Sequence, residues 1–400
     1  MIKINLAGYR TEVEKELHAI LSYWIEHTPD LRQGGFYGRL DEKDQADPTA
    51  PKGIVLNSRI LWAFSAAYGR TRQKEYLDLA QRAYEYVLAH FMDPEYGGVY
   101  WSVDAKGAAL NDRKQIYGLS FCIYGLSEYH RVTRNRQALE HAIALFHLIE
   151  RHSYDLARMG YYEAFSRDWK PLEDLRLSEK DDNGKKTMNT HLHIIEAYAN
   201  LYLVWPDTRL KQQIDNLLEV FEKYIVDDRT GHLALFFDED WRRRSDLVSY
   251  GHDIEAAWLL LEAACIGGDD KRIGEMRRLS IKVTLAATEG LDSDGGLWYE
   301  YDPSGEGLVR EKHAWPQAEA MIGFLNAYQV SGNNRFLEQS LASWHFIKTF
   351  IRDTDRGEWF WGVRDDHSLV PGQDKAGFWK CPYHNSRACL EVMARLDSLR

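Results

Sequence analysis

Six polar or aromatic side chains stand at similar distances behind six glycine-led turns. They follow the first glycine of each turn by 20 to 33 residues, and they are Arg59, Tyr117, His193, His252, Trp315 and His384. Imidazoles exchange protons near neutral pH, a guanidinium stabilises an oxyanion, and Trp and Tyr faces pack against apolar ring surfaces. Because equivalent positions of a closed repeat face one another, these residues predict a shared site that binds a sugar and moves a proton on it.

Helical spacing gives several of these side chains a partner on the same helix face. The pairs three or four residues apart are Asn189–His193, His252–Glu255, Trp315–Glu319 and His384–Arg387. Residues at this spacing are neighbours on a helix, so the carboxylates can polarise imidazoles. His191 points away from the face of His193, and we expect it to be structural.

The spacing does not favour a metal site. His191 and His193 lie two residues apart on different helix faces, and the sequence contains no HExxH motif and no Asp-rich cage. Zinc held by three histidines from three helices is the alternative. The chain also lacks a GxGxxG after a strand, a P-loop and a GxSxG elbow, so we expect no metal, nucleotide or other cofactor.

A sequence repeat must position these residues. The turns begin with GGFY at 34, GGVYW at 97, GYYE at 160, GHLALF at 231, GGLWY at 295 and GEWFW at 357, with spacings of 63, 63, 71, 64 and 62 residues. Six turns at nearly constant spacing indicate a repeat architecture.

Between the turns the apolar residues follow helical periodicity. Each unit has an amphipathic helix and then a more apolar one, such as residues 54–68, 117–129 and 190–203. Two helices in each of six units predict an all-α (α/α)6 barrel of helical hairpins, with the apolar helices inside. We expect a single domain over residues 1–400, with the turns forming short β-hairpins at one end.

The longest interval between a turn and its inner helix, residues 163–187, contains the polar stretch LRLSEKDDNGKK. A solvated surface loop is one interpretation. Its position beside Asn189 and His193 also fits a lid over the site.

Composition excludes several classes of function. The net charge of −11 and pI near 5.8 leave no basic surplus for nucleic acid. Four cysteines without metal spacing indicate reduced thiols, the start of the sequence lacks a signal-peptide pattern, and no stretch is apolar enough for a membrane. We therefore expect a cytoplasmic protein without nucleic-acid or membrane partners, as a monomer or homodimer. The 13 Trp, 23 Tyr and 15 Phe suit either a large core or a sugar site.

Four segments resemble a known family. These are residues 56–62 (LNSRILW), 186–193 (KTMNTHLH), 249–256 (SYGHDIEA) and 379–387 (WKCPYHNSR). In this order they are similar to the cellobiose 2-epimerases of the N-acylglucosamine 2-epimerase superfamily, and the similarity extends over essentially the whole chain. It implies an (α/α)6 barrel and reversible inversion at C2 of the reducing-end glucose of β-1,4-linked disaccharides, without metal or nucleotide. Cellobiose would give glucosyl-mannose, and lactose would give epilactose.

The resemblance also implies roles for individual residues. His252 and His384 match the two bases, and His193 matches a third imidazole that assists ring opening and polarises the carbonyl. The substrate-binding positions are Arg59, Tyr117 and Asn189 for O1 and O2, the carboxylates Glu255 and Glu319, and the aromatic walls Trp315 and Trp379.

Three other functions fit parts of the pattern. An aldose–ketose isomerase, or an epimerase of monosaccharides or N-acylglucosamine, would use the same enediolate chemistry. A glycoside hydrolase would use paired carboxylates, for which Asp292, Asp294 and Glu300 are the candidates. A sugar-binding protein would need the aromatic residues and not the histidines.

Overall fold

In a computed structural model, which describes residues 5–305 and 307–399, the helices alternate between two concentric rings. The outer ring contains α1 (Leu6–His27), α3 (Lys74–Tyr86), α5 (Arg136–His152), α7 (Thr208–Val220), α9 (Asp270–Ala287) and α11 (Asn334–Phe346). The inner ring contains α2 (Ile54–Thr71), α4 (Ile116–Thr133), α6 (Met188–Tyr202), α8 (Tyr250–Gly267), α10 (Ala314–Ser331) and α12 (His384–Ser398). Helix α9 ends in a short 3-10 turn, and α3, α7 and α11 end in π-helical turns at 87–91, 221–225 and 347–351.

The inner ring is closed. Each inner helix packs against the next, from α2 through α4, α6, α8 and α10 to α12, and α12 packs against α2. The first helix, α1, is the outer partner of the last, α12. The predicted (α/α)6 barrel is therefore confirmed.

Burial explains why the two rings differ in sequence. In α8 almost every residue from Tyr250 to Ala264 is buried, because this helix contacts neighbours on all sides. In α3 only one stripe is buried, including Tyr76, Ala80 and Tyr84, and the opposite face is exposed. A helix buried all round reads as a continuous apolar run, whereas a surface helix shows helical periodicity.

The six turn glycines share one conformation. The first glycine of each turn has a positive φ, between 71° and 88°, which is costly for any side chain with a Cβ. A single antiparallel bridge closes each turn, as between Pro29 and Phe36. Each predicted β-hairpin is thus present as a turn closed by one antiparallel bridge.

Short strands join neighbouring repeats at the same end of the barrel. They are β1 (Lys52–Gly53), β2 (Ser102–Val103), β3 (Ala109–Asn111), β4 (Lys114–Gln115), β5 (Ala164–Phe165), β6 (Lys186–Thr187), β7 (Phe236–Phe237), β8 (Val248–Ser249), β9 (Glu300–Asp302), β10 (Gly307–Leu308), β11 (Glu311–His313) and β12 (Gly362–Arg364). The strand before an inner helix pairs antiparallel with a strand after the next turn: β1 with β2, β4 with β5, β6 with β7, β8 with β9, and β11 with β12. A bridge between Leu40 and Ala376 makes the sixth connection and completes the circle.

An ion pair recurs in the repeats. An aspartate at the start of each turn accepts from a cation located before the following inner helix. The pairs are Asp30–Lys52 (2.9 Å), Asp93–Lys114 (2.7 Å), Asp155–Lys186 (2.9 Å), Asp227–Arg243 (2.6 Å), Asp292–Lys312 (2.6 Å) and Asp353–Lys375 (2.6 Å). Each pair ties a turn to the segment that leads into an inner helix, so it fixes where that helix begins.

Across the described ranges, no helix is long and apolar enough to cross a membrane.

Candidate active site

A cavity of about 780 Å³ opens at the end of the barrel where the strands lie. Nine of the ten predicted site residues line it: Arg59, Tyr117, Asn189, His193, His252, Glu255, Trp315, Trp379 and His384. The tenth, Glu319, is completely buried behind His384 and does not line the cavity. Its carboxylate therefore acts on a histidine, which corrects its prediction as a substrate contact.

The three histidines converge, but they are not at equivalent positions of the repeat. His193 is five residues beyond the first residue of α6, whereas His252 is two beyond the first residue of α8 and His384 is the first residue of α12. Glu255 and Glu319, also five residues into their helices, are the true counterparts of His193. The site therefore has a deeper layer that contains His193 and an outer layer that contains His252 and His384.

His384 is held by a buried carboxylate. Its Nδ1 lies 2.7 Å from Oε1 of Glu319 and 3.9 Å from Oε1 of Glu255. Burial lowers the pKa of His384 well below its usual value, and the nearby Arg59 and Arg387 lower it further. The imidazole is therefore neutral near pH 7, and its second nitrogen is available as a base.

Arg387 organises three buried carboxylates behind the cavity. Its guanidinium contacts Glu196, Glu255 at 2.5 Å and Glu319 at 2.7 Å. Burial and the charge of Glu319 raise the pKa of Glu255 to about 8. Burial opposes ionisation of Glu196 too, but Arg387 and His193 outweigh it and lower its pKa to about 2. One cation thus holds carboxyl groups of different acidity, which is typical of acid–base sites.

His193 is the deep imidazole. Its Nδ1 lies 2.9 Å from Oε2 of Glu196, and its ring packs against Tyr117 and Phe121, with centroids 5.0 Å and 4.6 Å away. Burial lowers the pKa of His193, and Glu196 partly offsets that shift. Glu196 therefore accepts from Nδ1–H of His193, and the neutral imidazole has Nε2 left as a hydrogen-bond acceptor.

His252 has a neutral partner. Its Nδ1 lies 2.7 Å from the hydroxyl of Ser249, and burial lowers its pKa to about 3, with smaller contributions from His193, Lys180 and His384. Trp315, on the helix between α8 and α12, contacts both outer imidazoles: its ring centroid is 4.8 Å from that of His252 and 5.5 Å from that of His384. The two outer imidazoles therefore flank one aromatic wall.

Arg59 is a buried cation in a box of aromatic rings. Its Nη2 donates to the hydroxyl of Tyr117 at 2.8 Å, and its guanidinium lies 4.1 Å from the ring centroid of Phe121 and 4.7 Å from that of Tyr383. Within the described part of the chain, Arg59 has no carboxylate within salt-bridge distance. A buried guanidinium without a carboxylate can neutralise negative charge that develops on a bound molecule.

The remaining predicted residues form the walls. Trp379 packs against Trp101 and Tyr117, with ring centroids 5.9 Å and 6.0 Å away. Asn189 lines the cavity, and its amide oxygen is buried without a protein partner among the described residues. The predicted structural role of His191 is confirmed, since its Nε2 accepts from the backbone N–H of Tyr161 at 2.9 Å.

The interval 163–187 covers one side of the cavity. Residues 175–182 and 184 line it, and Nζ of Lys180 donates to the hydroxyl of Tyr299 across the opening at 2.6 Å. Arg244 holds Asp182 at 2.8 Å. The interval is therefore a wall of the cavity and is anchored to two other repeats.

The carboxylates proposed for hydrolysis are arranged differently. Asp292 and Asp294 both accept from Lys312 at 2.6 Å and do not line the cavity, whereas Glu300 does. A hydrolytic pair built on these three residues is therefore not assembled.

Side chains of Glu255, Glu319 and His384 offer three potential ligand atoms within 4.8 Å of one another. Arg387 donates to both carboxylates, so a guanidinium already occupies the place where a cation would bind. The donor set suits proton transfer better than metal binding.

The sequence interpretation did not include Glu196, Ser249 and Tyr383 in the site. Glu196 follows His193 by three residues and contacts it. The same spacing predicts a pair between His252 and Glu255, and that prediction is wrong: His252 contacts Ser249, and Glu255 contacts Arg387. Ser249 precedes its helix and therefore has no helical spacing to reveal it. Tyr383, which donates to Glu196 at 2.5 Å, is recognisable only in three dimensions.

Comparisons with known proteins agree with this arrangement. The family model of N-acylglucosamine 2-epimerase matches residues 35–388. A cellobiose 2-epimerase of Bacteroides fragilis is 49% identical over 385 residues, which are 96% of this chain and 98% of that protein. The solved cellobiose 2-epimerase of Spirochaeta thermophila has a TM-score of 0.93 at 38% identity and covers 98% of both chains. That of Bacillus thermoamylovorans has a TM-score of 0.92 at 39% identity, covering 97% of this chain and all of its own.

The barrel, the site and these matches define a carbohydrate epimerase, which is an isomerase. The chain belongs to the N-acylglucosamine 2-epimerase family, and its similarity to the cellobiose 2-epimerases is confirmed.

Proposed function

We propose that the protein reversibly inverts C2 of the reducing-end glucose of β-1,4-linked disaccharides. Cellobiose would give glucosyl-mannose, and lactose would give epilactose. The names of the relatives support this substrate class. The observation that carries the proposal is the pairing of two neutral imidazoles, His252 and His384, with the buried and carboxylate-free cation of Arg59.

The reaction begins with an open-chain sugar, because only an aldehyde at C1 acidifies the hydrogen at C2. His193 assists ring opening by accepting the proton of the O1 hydroxyl at Nε2, and the resulting imidazolium, held by Glu196, polarises the carbonyl oxygen. Arg59, Tyr117 and Asn189 bind O1 and O2. When the proton leaves C2, the electron pair moves to form an enediolate, and Arg59 neutralises the developing charge on O1.

Inversion requires that the proton return on the opposite face of C2. His384 removes the proton from the gluco form and later releases it to solvent. His252, after taking up a solvent proton at Nε2, donates that proton to the other face of C2, which gives the manno form and leaves His252 neutral again. In the reverse direction the two residues exchange roles. Burial lowers the pKa of both imidazoles, so each is neutral before the reaction and can act as the base in its own direction.

The second sugar ring occupies the outer part of the cavity. Trp315 and Trp379 provide aromatic faces for the two rings, and a cavity of about 780 Å³ has room for a disaccharide. The interval 163–187 acts as a lid that closes over the bound substrate.

NMR of cellobiose incubated with the protein in D2O, without added metal or nucleotide, tests the proposal. Glucosyl-mannose with deuterium at C2 is the expected product. Monosaccharides would indicate a hydrolase and a ketose an isomerase. Turnover of free glucose or N-acetylglucosamine in preference to the disaccharide would identify a monosaccharide epimerase, and binding without turnover a sugar-binding protein.

A further inference from the structure

Ser249 stands at the start of a helix but does not form the hydrogen bond that is usual for a serine there. It occupies the N-cap position of α8, where a serine side chain ordinarily accepts from a backbone N–H of the first turn. Its hydroxyl makes no such bond and lies 2.7 Å from Nδ1 of His252. At the same position of α6, Thr187 does cap its helix, accepting from the N–H of Thr190 at 3.2 Å. The side chain of Ser249 therefore does not contribute the capping hydrogen bond that usually stabilises the start of a helix.

The geometry points to Ser249 as a positioning residue: we propose that its hydroxyl accepts from Nδ1–H of His252 and so keeps Nε2 unprotonated and directed at C2 of the sugar. This inference rests on the proposed function. A neutral imidazole carries its single proton on one nitrogen or the other, and the hydrogen bond at one nitrogen selects the tautomer. Ser249 is 1% exposed, so water does not compete for this bond.

The partner of His252 differs from those of the other two histidines. His193 and His384 each have a carboxylate at Nδ1, Glu196 at 2.9 Å and Glu319 at 2.7 Å. His252 has only the hydroxyl, and the charged or titratable groups that act on it are His193, Lys180 and His384, all of which disfavour its protonation. Its orientation therefore depends on one neutral hydrogen bond, and removal of that bond should weaken proton transfer on one face of C2 only.

Hydrogen exchange in D2O separates the two faces. From cellobiose, His384 can remove the C2 proton and return deuterium to the same face, which gives exchange with retention and needs no His252. From glucosyl-mannose, the first step itself requires His252. Ser249→Ala should therefore lower exchange from glucosyl-mannose about tenfold or more. Exchange with retention from cellobiose should persist near the wild-type rate, while formation of the epimer declines.

Two further variants make the experiment decisive. Ser249→Thr keeps the hydroxyl and should restore exchange from glucosyl-mannose. Ser343→Ala removes another fully buried serine, on the outer helix α11, and should leave both rates unchanged. Equal loss from both epimers in a folded Ser249→Ala protein, or wild-type exchange from both, would overturn the inference. Loss confined to cellobiose would support the role of Ser249 and reverse the assignment of the two bases. Absence of C2 deuterium with the wild-type protein would overturn the proposed function as well.

Discussion

His384 and Arg387, one turn apart on α12, donate to the same carboxylate oxygen, Oε1 of Glu319, and each does so at 2.7 Å. The second oxygen of Glu319 accepts from the indole of Trp258 at 3.0 Å. Three donors therefore fix one carboxylate, and that carboxylate fixes the imidazole. The orientation of His384 is set by side chains that do not line the cavity.

Replacement of Glu319 by Gln should reduce kcat about 10- to 100-fold, because it removes a charge-assisted hydrogen bond worth about 1.5–3 kcal/mol. The KM should change much less, since Glu319 does not line the cavity. Steady-state kinetics measure both values. Glu128→Gln is the matched control, because Glu128 is also buried and ion-paired, to Arg131, but lies outside the cavity. A similar loss of kcat in both variants would contradict the prediction.

Replacement of either outer histidine should nearly abolish epimerisation. His252→Ala and His384→Ala should each lower turnover by about 10²–10⁴, since general acid–base catalysis contributes that factor. The double variant should not be much slower than either single variant, because the two residues act as a unit. His345→Ala, an exposed histidine on α11, serves as the control for the rate assay. Near-native turnover in both single variants would refute the assignment of the bases.

Replacement of Arg59 and replacement of Arg387 should affect the stability of the protein to different extents. Arg59→Met should lower kcat about 10²–10³, the usual effect of removing an oxyanion donor, with little loss in the free energy of unfolding. Arg387→Met should lower the free energy of unfolding by about 3–5 kcal/mol, because it leaves buried carboxylates without their cation. Urea unfolding of the two variants provides the comparison. A larger destabilisation by Arg59→Met would mean that this guanidinium is structural.

Glu163 should make stability depend on pH. Burial raises its pKa to about 8 in the folded protein, despite hydrogen bonds from Thr187 and Thr190 that oppose the shift. Between about pH 4.5 and about pH 8, the folded state therefore binds a proton that the unfolded state has lost. The contribution of this group to the free energy of unfolding decreases as pH rises through that interval. Glu163→Gln cannot lose the proton, so urea unfolding at several pH values should show a flatter profile than the wild type.

The control for Glu163 is Glu26→Gln at the exposed end of α1, which should keep the wild-type slope. A parallel profile for Glu163→Gln and wild type would show that Glu163 is ionised in the folded state.

Loss of the contact between Lys180 and Tyr299 should weaken substrate binding. Lys180→Met removes one hydrogen bond across the opening of the cavity. A hydrogen bond contributes about 0.5–1.5 kcal/mol, and the loss of that energy from substrate binding corresponds to a KM about 2- to 10-fold higher. Amide hydrogen exchange in residues 175–184 should become faster in the same variant. Lys170→Met changes an exposed lysine of the same interval that pairs with Asp168, and it should alter neither quantity. An unchanged rate of amide hydrogen exchange in Lys180→Met would show that the contact between Lys180 and Tyr299 does not hold this segment in place.

The fold was predictable because the backbone conformation of each turn requires a glycine. A positive φ at each first glycine excludes most other residues, so the six turns remain visible in the sequence. The paired aspartates, such as Asp30 with Lys52, were equally visible as an acidic residue three to five positions before each glycine. These aspartates mark the turns a second time, but they do not locate the inner helices, which begin 19 to 28 residues after the turn glycines.

The position of each site residue along its inner helix was not predictable from the turns alone. Four inner helices begin 19 or 20 residues after their turn glycine, but α6 begins 28 and α12 begins 27 residues after theirs. His193 and His384 both follow these long connections, so counting from the glycines aligned them with the wrong positions. The resemblance implies a substrate contact for Glu319, and helical spacing cannot show that Glu319 lies behind His384, because spacing identifies a face of a helix but not a depth.

Closure of the inner ring has a consequence for folding. Asp397 on α12 pairs with Arg70 on the inner helix α2, 327 residues away, and with Arg10 on the outer helix α1, 387 residues away. Contacts between such distant residues form late, because closing a long loop costs entropy before any contact repays it. The inner ring closes only when α12 packs against α2, so we expect this contact to form after the contacts within each hairpin. The same helix carries His384 and Arg387, so ring closure and assembly of the candidate site are expected to occur together.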